Sequence, residues 1–120
     1  MAIPRTHVIA VYEPPKTAAD PYAPGGSQPT LVASGIPANL QPLIGRVRQT
    51  AAGRAIDASW KGFVPPEYGH LIVEDRLVFV QEGVGPQVFR VRQVGPHGPR
   101  WDTEFLLDTT SEEIPEEVRP

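Results

Sequence analysis

A chain of 120 residues with 15 prolines, 11 glycines and no cysteine has room for one domain and no disulfide frame to staple it. A net charge of −3 and a pI near 5.5 lack the basic excess of a protein that coats nucleic acid indiscriminately. The missing cysteines also exclude a thiolate nucleophile and a zinc finger, and no apolar run reaches the roughly 20 residues of a membrane-spanning helix.

The first residues, Met1 to Val8, lack a basic segment followed by an apolar one. A signal peptide is therefore not expected, and the expectation is a soluble protein made in the cytoplasm. Residues 6–12 are rich in β-branched and aromatic side chains and read as a strand that Pro14-Pro15 ends. Residues 14–30 follow neither the helical nor the strand period and hold several prolines, Gly25-Gly26 and Ser27. They read as a long loop with Tyr22 as its one sizeable anchor.

Strand character resumes at residues 31–36. The stretch Ile36-Pro37-Ala38-Asn39-Leu40-Gln41-Pro42 stays extended, with a proline near each end. Proline cannot donate to a ladder, so this is a sheet edge or a strand end. Residues 43–53 fit either a short helix or a flexible connection, and Arg46, Arg48 and Arg54 lie in or beside them.

Residues 55–64 alternate. Ile56, Ala58, Trp60 and Gly62 fall on one side and Asp57, Ser59 and Lys61 on the other, the signature of a half-buried strand. Residues 67–74 read as a connector with at most one helical turn. Residues 76–81 and 87–94 read as strands joined by a hairpin turn at Glu82-Gly83-Val84-Gly85-Pro86. In the second, Val88, Arg90, Arg92 and Val94 share one side and Phe89, Val91 and Gln93 the other. After a turn at Gly95–Pro99, residues 101–108 make a last strand. Trp60 and Trp101 are expected in the core or at the edge. The acidic tail, 109–120, is expected to be solvated or bound to a partner.

Strands at this spacing, with turns between them, predict an all-β fold: a small β-barrel of about six strands over residues 1–108, with long Pro/Gly-rich loops and extended termini.

Little in the sequence points to catalysis. His7, His70 and His97 have no ligand spacing, so no metal is expected. Ser59, His70 and Asp75 make a triad only on paper, because no nucleophile elbow surrounds the serine. Glu74 and Asp75 are adjacent and would face opposite ways in a strand. The Gly83/Gly85 pair does not complete a phosphate loop. No enzyme activity and no cofactor is expected.

One ordered set of residues carries a resemblance. The segment Gly35-Ile36-Pro37-Ala38-Asn39-Leu40-Gln41-Pro42 precedes an arginine-bearing stretch, and a strand then runs into Phe63-Val64-Pro65-Pro66. Glu74-Asp75-Arg76-Leu77, a glycine hairpin and Phe89-Arg90-Val91-Arg92-Gln93-Val94 follow, matching a pattern of polar–Asp–Arg–apolar, Gly, then Tyr/Phe–x–Val–x–x–Val. Over residues 6–108 the chain resembles the stopper, or head-closure, proteins of siphoviruses and related gene-transfer particles. The acidic tail has no counterpart in that pattern.

The resemblance implies a barrel with long loops, assembled as a six- or twelve-fold ring in the virion neck. Portal and adaptor rings would lie above it and a tail terminator or tail tube below. Packaged double-stranded DNA would pass through the channel, and no membrane is involved. One loop would reach the lumen and help retain DNA; by position it is 43–55, with Arg46, Arg48 and Arg54. Tyr22, Arg90, Arg92, Glu112, Glu113, Glu116 and Glu117 are the candidate contacts between rings or subunits. The competing expectation is a free-standing SH3- or OB-like module for nucleic acid or a peptide, with Phe89, Arg90, Arg92 and Trp101 as its face.

Overall fold

Six strands alternate up and down so that every one finds two antiparallel neighbours: β1 (His7–Glu13), β2 (Thr30–Ala51), β3 (Arg54–Val64), β4 (Leu77–Glu82), β5 (Val88–Val94) and β6 (Thr103–Thr109). They close into a barrel, as the spacing of strands and turns predicts, and its strand order is β1-β2-β3-β6-β5-β4. This computed structural model describes residues 5–15, 28–51, 54–95 and 101–120, and side chains for all of these but 44–51 and 54–57. Tyr22, His97 and most of the Pro-rich loop lie outside the described residues.

The largest departure from expectation is β2. Read from sequence as a short strand, an extended stretch and an uncertain connection, it is one strand of 22 residues. Straight, it would span roughly 70 Å, more than the chain's longest dimension of 49 Å, so it must bend. The first bend is a bulge at Gly35, where the register against β1 slips between Ile9 and Val11. Gly35 has φ +69°, a left-handed conformation that glycine adopts without strain. Its freed amide donates to Gln81 Oε1 at 2.8 Å. The second irregularity lies between Pro42 and Val47, opposite β3.

Both prolines of β2 sit where a ladder is missing. Thr6 N–H bonds Ala38 O, so the Ala38 peptide groups face β1. By alternation Pro37 faces the β3 side, beyond the β3 terminus at Val64. Pro42 faces the β1 side, beyond the start of β1 at His7. Neither costs a hydrogen bond.

The barrel interior draws on all six strands. Ile9, Val11, Ile36, Ala38, Leu40, Val64, Val78, Val80, Phe89, Val91, Phe105 and Leu107 are buried there together. Trp60 packs on this cluster, its ring centroid 5.2 Å from that of Phe89. Ala58, Gly62 and Val64 are buried on the same β3 face, as the alternation predicts. In β5 a register shift between Val91 and Gln93 changes the phase. Val94 therefore packs on the core with Phe89 and Val91, and not on the side of Arg90 and Arg92.

A 3-10 segment of six residues, Pro66–Leu71, crosses one mouth of the barrel; at three residues per turn it is about two turns, more than the one turn expected. Its Tyr68 and Leu71 pack on the core, and Ile72 plugs it. The motif Asp75-Arg76 then works as a corner. Asp75 takes φ 71° and donates its amide to Val91 O. Arg76 reaches Leu71 O at 2.8 Å and Glu13 at 2.7 Å, tying the mouth turn to the end of β1.

Candidate assembly surfaces

The arginine-bearing segment is neither a helix nor a loop. β2 loses β1 after Ala38, and β3 meets β6 only from Trp60 onward. Beyond those points residues 47–51 and 54–58 pair only with each other: Val47 with Ala58, Arg48 with Asp57, Ala51 with Arg54. The result is a two-stranded arm whose paired part, Val47 to Ala51, is about 13 Å long at the ordinary rise per residue, beyond the irregularity between Pro42 and Val47. Sequence reading missed it because residues 43–51 carry no clear alternation. Their extended state is set by the ladder with β3, which supplies the hydrogen bonds a lone segment would lack. Arg46, Arg48 and Arg54 all belong to this arm.

The arm leaves the end of the barrel that also carries the β4–β5 turn. Trp60 lies at its base, and a Cβ added to Gly85 in that turn would come within 3.0 Å of the indole. Gly83 and Gly85 both have positive φ, as a tight hairpin requires. The turn is pinned by His7, whose Nε2–H donates to Val84 O at 2.8 Å while Thr6 Oγ1 meets Nδ1 at 2.6 Å. His7 is thus a structural residue. Val84, at the tip of this turn, is 88% exposed.

The acidic tail is not a solvated strand of glutamates. After β6 the chain doubles back across the outside of the barrel over β5, β4 and β1. Ile114 is buried, and Val118 joins it on a second apolar cluster of Ala10, Tyr12, Leu77 and Phe79, the outward residues of β1 and β4. Tyr12 Oη donates to Val118 O at 2.7 Å, and the Arg119 guanidinium sits 5.2 Å from the centre of the Phe79 ring. The signal in the sequence was the apolar pair Ile114 and Val118 among the glutamates; the charge count obscured it.

This changes the standing of the residues expected at subunit contacts. Arg90 is half-buried and pairs with Glu112 of the same chain at 3.3 Å. Arg92, Glu113, Glu116 and Glu117 are exposed, and Glu117 accepts from Gln28 at 3.1 Å. Trp101 stands 74% exposed just before β6, outside the core. Phe89, proposed as a stacking platform, is 1% exposed inside the barrel and can stack on no base. The paper triad does not form. Ser59 donates to Asp108 at 2.8 Å, while His70 is exposed on the mouth turn. Among the described residues no group of three His, Asp or Glu side chains gathers where a metal ion could be held.

Tyr12 couples the tail to pH. Burial raises its phenol above the ordinary 10.0, and the nearby Arg119 guanidinium partly opposes this. Above that pH the unfolded chain gives up the proton first, so this stabilising contribution is complete below 10.0 and is lost as pH rises through the folded value. Tyr12→Phe is expected to cost about 0.5–1.5 kcal/mol at neutral pH through the lost hydrogen bond. The same variant should flatten the alkaline fall in stability. Urea midpoints of both proteins, from neutral pH upward, check it; parallel curves would remove Tyr12 as the cause.

No family model matches this chain, and neither does any curated protein or solved structure.

Proposed function

We propose that this chain is a structural subunit of a bacteriophage neck, a stopper ring that joins the portal and adaptor to the tail and helps to hold packaged DNA. It acts without catalysis or cofactor. The observation that carries the reading is the arm. A closed barrel extends two of its strands past all their neighbours and places three arginines on that extension. A guanidinium pairs with phosphate oxygens in a planar, charge-assisted contact. A few such contacts from each copy of a ring hold a duplex without fixing it. The net charge of −3 over the whole chain, arm arginines included, keeps the remainder of the lumen from gripping DNA that must later leave.

The barrel suits the role for a second reason. Closure pairs the strand edges of the barrel body and leaves only those of the short arm open, so copies stand side by side with little edge for uncontrolled strand addition. A cyclic ring then needs two different faces of each subunit to meet. The end bearing the arm and Val84 and the mouth bearing the 3-10 turn are chemically different surfaces of that kind. The competing reading, a nucleic-acid module stacking bases on Phe89, draws no support from a ring buried in the core.

The reading is tested by tagging the exposed C-terminus for gold labelling in intact particles. Gold at the head–tail junction is the expected image. Gold on the capsid or the tail tip, or particles without any label, would contradict it.

A further inference from the structure

We propose that residues 110–120 form an exchangeable strap, which docks on the outer β1–β4 face of a second copy of this chain just as it docks on its own barrel. The outer face of a small barrel ordinarily meets water. Here Ala10, Tyr12 and Leu77 are fully buried and Phe79 is 6% exposed, covered by Ile114 and Val118 of the strap. The structure therefore shows both the docking face and the sequence that fits it.

The way the strap is held makes exchange easy. Among the described residues its backbone–backbone hydrogen bonds close on the strap itself, Val118 N–H to Pro115 O and Arg119 N–H to Glu116 O. It adds no strand to the sheet, and leaving the barrel breaks no ladder. Its hold consists of side-chain contacts: the apolar pair, the Tyr12 hydroxyl on Val118 O, Arg119 over Phe79, and Gln28 on Glu117. Each can be remade on an identical neighbour, so exchange conserves the contacts, the condition under which swapping is cheap.

The anchorage is also uneven. At the far end the contacts are complete. At the near end Arg90 and Glu112 make one contact of 3.3 Å, while Arg90 Nε and Glu112 Oε2 are buried without partners. Buried polar atoms left unpaired are costly, and rerouting the strap at this point would free both. The segment between β6 and Ile114, residues 110–113, reaches up to about 13 Å when extended and is the hinge about which the strap would cross to a second barrel. The inference does not rest on the ring reading, because two copies can exchange straps in a closed dimer.

The chain has no cysteine, so Glu116→Cys gives a single attachment point for a nitroxide on the exposed side of the strap. Spin-labelled protein is mixed with isotopically labelled protein that carries no nitroxide, and amide spectra are recorded over a concentration series. The expected result is loss of peak intensity at Ala10, Val11, Tyr12, Val78 and Phe79 of the isotopic chain, together with a mass above that of the monomer. Ile114→Ser in the spin-labelled chain should abolish the effect. Should these amides broaden only when nitroxide and isotope share one chain, at every concentration up to the solubility limit, the strap belongs to its own barrel and the proposal fails.

Discussion

Phe105→Ala is expected to lower stability by about 3–5 kcal/mol, the range for removing a large aromatic from a closed core. Phe105 is 1% exposed and lies directly across the β3–β6 ladder from Gly62. The ring fills the space that a side chain at position 62 would take. A Cβ built on Gly62 would lie 2.5 Å from Phe105 Cε2 and 3.0 Å from Leu40 Cδ2. Gly62→Ala alone should therefore cost about 1–3 kcal/mol by overpacking. In the Phe105→Ala background the same methyl enters vacated space, and its cost should shrink or change sign. Urea unfolding of the four proteins gives the coupling, expected at about 0.5–3 kcal/mol. Additive costs would show that the ring does not occupy the glycine's space.

The second large effect is on particles. Reversing Arg46, Arg48 and Arg54 to glutamate should leave the barrel nearly as stable as before, because the arm lies beyond the six-stranded ladder. Particles built with this variant should assemble and then lose DNA, with the filled fraction falling at least about tenfold at physiological salt, since each lost phosphate contact weakens a salt-dependent hold. Replacement by lysine should retain much of the packaged DNA, as charge persists while the planar fork is lost. Genome content per particle, read by centrifugation in a density gradient, measures it. Filled particles at the native level would remove the arm from any role in retention.

Much of the barrel was legible because its strands are half-buried. Ala58, Trp60 and Gly62 alternate with Ser59 and Lys61, and that period survives in the fold. Gly83 and Gly85 announced the hairpin. Pro37 and Pro42, read as a sheet edge or strand end, lie inside β2 opposite Val8 and Trp60. What escaped the sequence depends on partners distant along the chain. Residues 43–51 are extended because β3 pairs with them. Val94 faces the core because a bulge shifts the phase at Arg92. The strap looks solvated when its glutamates are counted, and it is anchored by Ile114 and Val118, whose receiving face exists only after β1 and β4 have come together. Arg90 and Glu112 were legible as opposite charges suited to pairing; local sequence does not say that they meet within one chain.

The proposed role depends on geometry: in a ring of these subunits the arm would have to point at the axis. A cryo-EM reconstruction of the particle neck at side-chain resolution tests it most directly. The account predicts a closed ring of barrels around the DNA channel, with the β2–β3 arms directed inward and Arg46, Arg48 and Arg54 at the lumen. A ring whose arms point outward, or a neck that does not contain this chain, would contradict it.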